Sequence, residues 1–258
     1  MNEKQKPVTK EGREELKNQA VEIRESGDLE SAEVLFKQII DWDEKNNNPR
    51  GEIDVLGHLR IVYTKMVEEE KNPQVKLSLR EQARVCVEKA LAITNTHPEI
   101  PQGPKSILQV HLASIIFDSA RETANQDSKA TQLEKAFQIV TEAMETLPGS
   151  QAHRAWPANL KAQILYEIGK KEEAWDVLMQ AEKWIYEGYD KEIASGDQAE
   201  IKLNVWMSGL VLTKAEICRR EGKIILARHY AEYILNMSDP QNTLGQRKKD
   251  ARTVLEKL

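Results

Sequence analysis

Cysteine is nearly missing from this sequence. Cys86 and Cys218 are the only two in 258 residues, and both fall inside apolar patterns of helical period, so buried free thiols are expected rather than a bridge. A reducing compartment follows as the default. Long hydrophobic runs are also lacking, which excludes a membrane-spanning helix. The opening residues, Met1-Asn2-Glu3-Lys4-Gln5-Lys6-Pro7, hold no apolar core of signal-peptide length. Together these absences predict a cytoplasmic protein with no membrane partner.

Positive charge is not in excess: 37 Lys and Arg stand against 42 Asp and Glu, a formal net charge of -5. That balance lacks the field that draws a protein to nucleic acid, so no nucleic-acid partner is expected. The basic clusters Arg219-Arg220 and Arg247-Lys248-Lys249 have no interleaved aromatics and read as solvated helix faces. Enzyme signatures are missing too. There is no phosphate-binding Gly loop, no His-Glu-x-x-His, no Cys-x-x-Cys and no Gly-x-Ser-x-Gly. His97, His153 and His229 are scattered, without a second metal ligand at helical spacing. The expectation is a non-enzyme with no metal and no cofactor.

What the chain does contain is a spacing used three times. A small residue is followed by an apolar one, then Gly, then Ala: Ala20, Ile23, Gly27, Ala32; Ala162, Leu165, Gly169, Ala174; and Ala215, Cys218, Gly222, Ala227. Each Gly suits the left-handed end of one helix, and each later Ala starts the apolar face of the next. Two further pairs with longer turns place Leu56, Leu59, Val62 and Tyr63 against Ala83, Val87 and Ala90, and Leu108, Leu112 and Phe117 against Ala136, Val140 and Ala143. No strand-like alternation with hairpin turns is present.

The predicted fold is therefore all-α, a right-handed α-solenoid of about five antiparallel helical hairpins at about 13–43, 51–95, 105–148, 155–186 and 197–237. Residues 1–12 form a flexible N-terminal tail in this reading. Residues 238–258, from Ser238 to Leu258, form a C-terminal capping helix with Leu244, Ala251, Val254, Leu255 and Leu258 as its stripe.

Gly27-Asp28-Leu29-Glu30-Ser31-Ala32 with Phe36, the helix around Gly57 and Tyr63, and the closing Pro148 resemble the tetratricopeptide repeat. The resemblance covers residues 13–237, and the repeats are longer than the ~34 residues usual for that family. It implies that the first helix of each hairpin lines a concave groove that binds another protein or peptide. Aligned on that basis, Asn18, His58 and His111 fall at one equivalent position, where polar side chains would meet an extended backbone. In the fourth hairpin Trp156, Asn159, Gln163 and Tyr166 share the corresponding face, combining aromatic area with amides. Two alternatives stay open: a self-associating assembly protein, a homo-oligomer, or a helical sensor of a small peptide or metabolite.

Overall fold

The structure is a computed structural model that describes residues 10–196 and 198–258. Among these residues lie eleven α-helices, one 3₁₀ turn at Ala152–Arg154, and no strand. The helices are α1 (Lys10–Ser26), α2 (Leu29–Lys45), α3 (Pro49–Glu69), α4 (Pro73–Thr96), α5 (Gln102–Glu122), α6 (Gln126–Thr146), α7 (Ala155–Glu167), α8 (Lys171–Ser195), α9 (Ala199–Arg220), α10 (Ile224–Asn236) and α11 (Gly245–Glu256). Both arms of each expected hairpin are helical. The chain divides into two compact units between Thr123 and Ala124, so the third expected hairpin has one helix in each.

The thrice-repeated spacing is resolved as one local device. Gly27, Gly169 and Gly222 take φ of 95°, 89° and 71°, a left-handed conformation that costs Gly little and a residue with a Cβ considerably more. The amide after each Gly then bonds back to the carbonyl of the apolar residue of the pattern: Asp28 to Ile23 at 3.2 Å, Lys170 to Leu165 at 2.9 Å, and Lys223 to Cys218 at 2.8 Å. This is the six-residue closure of a Schellman turn. The flanking alanines, Ala20, Ala32, Ala162, Ala174, Ala215 and Ala227, are fully buried, because only a methyl fits where the two helix backbones cross closely. Three helices without the Gly turn, α3, α4 and α6, start on asparagine side-chain caps instead. Asn48 Oδ1 accepts from the Gly51 amide and Asn125 Oδ1 from the Ser128 amide, with Pro49 placed where the missing N–H costs nothing.

In unit 1 each helix from α1 to α5 packs on the next, and α1 also touches α3. Phe36, Ile39, Val55, Val62 and Val87 are among the buried side chains that fill this core. Of the predicted tail, residues 1–9 lie outside the described residues, and Lys10 to Gly12 already belong to α1. The helix starts earlier than the apolar period indicated because a polar anchor holds its first turn. Arg13 Nε and Nη2 donate to Asp43 Oδ1 and Oδ2 at 2.9 and 2.7 Å, with Asp43 wholly buried and Arg13 5% exposed. The bond to Asp43, opposed by burial, raises the Arg13 pKa further.

In unit 2 consecutive helices from α6 to α11 pack in order, and α7 also lies on α9 and α9 on α11. One core gathers Leu165, Leu178, Ile185, Leu203 and Leu210, with Trp175, Trp184 and Trp206 half-buried against it. A second core joins Val211, Ile234, Ala251 and Val254, which docks α11 on α9 and α10. The helix predicted to end near 186 continues to Ser195. Its extra turns are held from outside the hairpin. A Cβ on Gly188 would stand 2.9 Å from the Ala152 Cβ and closer to that residue's backbone nitrogen, so the 3₁₀ turn is seated directly on α8. Ser150 donates to the buried Glu192 carboxylate beside it.

Candidate functional site

The predicted binding residues divide between the two units: Asn18, His58 and His111 lie in unit 1, and Trp156, Asn159, Gln163 and Tyr166 in unit 2.

In unit 1, Asn18 is exposed on α1 and its neighbour Gln19, expected to face the core, is exposed as well. The α1 residue that meets His58 is Arg24, further along the helix. Arg24 Nη1 donates to His58 Nδ1 at 3.0 Å, and the imidazole stacks on Phe36 with centroids 5.5 Å apart and planes 7° from parallel. Burial lowers the His58 pKa; Asp54 opposes the shift, and Arg24 and Lys17 reinforce it. A bare Nδ1 that accepts from a guanidinium requires the neutral ring, consistent with that direction. His111 on α5 is driven down to about 3 by burial and by the Arg60 charge. Arg60 itself is held at about 10, chiefly by burial with Arg24 adding repulsion, and its buried Nε has no acceptor among the described residues. Lys17 is ion-paired with Glu14 and Asp54. The positive charge near these histidines comes from Arg24, Lys17 and Arg60.

In unit 2 the four predicted residues do share one face of α7, and α9 presents a matching row. His153 lies parallel to the Trp206 ring on α9, with centroids 5.3 Å apart, and to Trp156 at 6.2 Å. Gln163 Nε2 donates to Thr213 Oγ1 at 3.2 Å. Tyr166 is buried, its ring covered by the Arg220 guanidinium at 4.7 Å, while Arg220 Nη1 donates to Glu167 at 2.6 Å. Burial raises the Tyr166 pKa. Asn159 is the exception. Its Oδ1 is buried and without a donor among the described residues, and its Nδ2, like Arg247 Nη2 of α11, is within van der Waals contact of where a Cβ on Gly209 of α9 would stand.

Gly209, Thr213 and Arg247 were not foreseen as site residues. Arg247 was assigned to a solvated basic run, yet it sits three residues after Leu244 and four before Ala251, on the apolar stripe of its own helix. Its neighbour Lys248 reaches the Met237 carbonyl at 3.0 Å, and Lys249 is exposed. The stripe carried the signal for Arg247 and its charge concealed it. Gly209 and Thr213 become legible only once α9 is laid against α7.

Among the described residues no cluster of three His, Cys, Asp or Glu side chains is arranged to hold a metal ion. No helix among them is long and apolar enough to cross a membrane. Comparison with known proteins found no protein-family model that matches the chain and no similar curated protein.

Proposed function

We propose that this chain is a non-catalytic binding scaffold of tetratricopeptide-like helical hairpins that receives a peptide, tail or helix of a partner protein. The face shared by α7, α9 and α11 of unit 2 is the receiving surface in this reading. The observation that supports it is the Asn159 amide, whose oxygen is buried and unsatisfied on a face otherwise closed by internal pairs. A buried acceptor without a donor costs about 1–3 kcal/mol, and an extended peptide that displaces the side chains over it supplies the missing N–H. The scaffold acts by preorganisation: its helices already hold Asn159, Gln163 and Trp156 in place, so binding orders mainly the partner.

Selection from a phage-displayed random peptide library tests this reading. Peptides recovered on the wild type are expected to lose binding to Asn159→Ala while that variant keeps its helical content. Recovered peptides that bind both proteins equally would remove Asn159 from the site. A self-associating assembly has one observation in its favour: Tyr186 and Met179 on α8 and Ile225 and Tyr233 on α10 are 65%, 54%, 84% and 48% exposed, large apolar side chains that a second copy could cover. A sedimentation mass that rises with protein concentration would support that second reading.

A further inference from the structure

A cavity of unit 2 has walls of one electrostatic sign. It holds about 250 Å³ between the C-terminal part of α8, the start of α9 and the connection from α10 to α11. Tyr189 of α8, Glu200, Ile201, Leu203 and Asn204 of α9, and Asp239 of the connection line it, and no Lys, Arg or His does. Tyr189 and Glu200 are exposed while Leu203 is buried, so the cavity has a wet mouth and an apolar inner wall. Its two carboxylates are held differently. Asp239 Oδ1 accepts from the amide and hydroxyl of Thr243 at 2.7 and 3.1 Å, and Oδ2 from the Leu244 amide at 2.9 Å. Desolvation opposes the Asp239 charge, yet these bonds and Lys248 outweigh it and lower the pKa, so the carboxylate is fixed and ionised. Glu200 makes no hydrogen bond or ion pair among the described residues and is free to meet a ligand.

We propose that this cavity binds a guanidinium or ammonium group carried on an apolar stem, the chemistry of an arginine or lysine side chain. Small-molecule and cofactor sites commonly hold ~300–1,000 Å³, so the volume here suits a single side chain or a molecule of that size. A bare metal ion would leave most of the space unfilled and lack a third ligand, since no three His, Cys, Asp or Glu side chains are grouped among the described residues. An alkyl cation uses every wall. Ile201 and Leu203 cover the stem, the Tyr189 ring attracts the charged head, and the Glu200 carboxylate and Asn204 amide oxygen accept its N–H groups. Asp239 adds a second, fixed negative charge. No lining residue belongs to the face of α7, α9 and α11 proposed to receive a partner, so this site stands or falls independently of that face.

The test is titration of the full chain, at constant ionic strength, with n-butylguanidinium and with two capped pentapeptides, acetyl-Ala-Ala-Arg-Ala-Ala-amide and its citrulline analogue. Citrulline keeps the shape of arginine and removes its charge. The readouts are the Asn204 side-chain amide, the Tyr189 ring and the Glu200 and Asp239 backbone amides in nuclear magnetic resonance spectra. The Arg peptide is expected to shift them saturably, and the citrulline peptide to bind about tenfold more weakly, the equivalent of ~1.4 kcal/mol. Glu200→Gln, at an exposed position in the first turn of α9, should stay folded and weaken the Arg peptide by a similar factor. Glu232→Gln, exposed on α10 outside the cavity, should not. Absence of saturable shifts with both guanidinium probes overturns the site, as does equal binding of the Arg and citrulline peptides. An equal loss in Glu200→Gln and Glu232→Gln overturns it too, because general attraction to an acidic protein would then suffice. Butylguanidinium binding as tightly as the Arg peptide upholds the site and assigns it to a free small cation, whereas tighter binding of the peptide upholds it and assigns it to a side chain of a partner protein.

Discussion

Replacing either of two helix-interior glycines of unit 2 with alanine should change stability in opposite directions. Gly209 lies in the middle of α9 and Gly188 near the end of α8, so each substitution gains about 1 kcal/mol of helix propensity. At Gly209 the new methyl meets nothing nearer than 3.4 Å, and that gain is retained. At Gly188 the methyl would stand 2.9 Å from the Ala152 Cβ and 3.1 Å from its Cα. Backbone atoms cannot rotate aside as a side chain can, so the 3₁₀ turn must lift from α8. Overpacking of this kind costs about 1–3 kcal/mol, and a lifted turn also loosens the buried Ser150–Glu192 bond, worth ~1 kcal/mol or more. Gly209→Ala should therefore be about 1 kcal/mol more stable than the wild type and Gly188→Ala about 1–3 kcal/mol less stable. Urea denaturation followed by circular dichroism, analysed with a common slope, reads the difference as a shift in midpoint. A Gly188→Ala protein as stable as Gly209→Ala would refute the seating of the 3₁₀ turn on α8. Destabilisation by Gly209→Ala would show that the space above it is filled.

Three further outcomes are expected. Asp43→Ala leaves the buried Arg13 guanidinium with only the exposed Glu14 carboxylate and should cost about 3–5 kcal/mol in urea denaturation, whereas a loss under 1 kcal/mol would mean that Glu14 or water replaces the lost partner. Cys86, whose thiol burial pushes up to about 11, should resist iodoacetamide at neutral pH until urea unfolds unit 1, and rapid alkylation of the native protein would contradict its burial. His111 has a folded pKa lowered to about 3, so its contribution to stability is complete above the unfolded value of ~6.5 and is lost as pH falls from there towards the folded value. The stability difference between wild type and His111→Phe should shift against the wild type across that window, by up to ~1.4 kcal/mol per pH unit. A difference independent of pH between 7 and 4 would contradict a neutral His111 in the folded protein.

What the chain disclosed about itself follows the range of the interactions involved. The turns at Gly27, Gly169 and Gly222 were legible because a Schellman closure is decided within six residues, and the alanines around it report how closely two adjacent helices cross. The Trp156, Asn159, Gln163 and Tyr166 stripe was legible for the same reason, since one helix carries all four. The partners that close the stripe were not. Thr213, Gly209 and Arg220 come from a helix whose register against α7 depends on where the 25-residue α8 ends, at the left-handed Gly196, after a stretch that rests on the distant Ala152 at Gly188. Arg13 illustrates the same limit in unit 1: its burial depends on Asp43 of the next helix, so the start of α1 could not be read from its own apolar period. Arg247 was misread because charge was weighed above position on the stripe.

The central claim is that the face of α7, α9 and α11 around Asn159 receives a partner segment. Backbone amide shift mapping with a peptide selected on the wild type tests it most directly. The account predicts shifts concentrated around residues 156–166, 206–213 and 247, with the Asn159 side-chain amide among the largest. Shifts confined to the outer surface of α8 and α10 around Tyr186 and Ile225, with Asn159 unmoved, would contradict it.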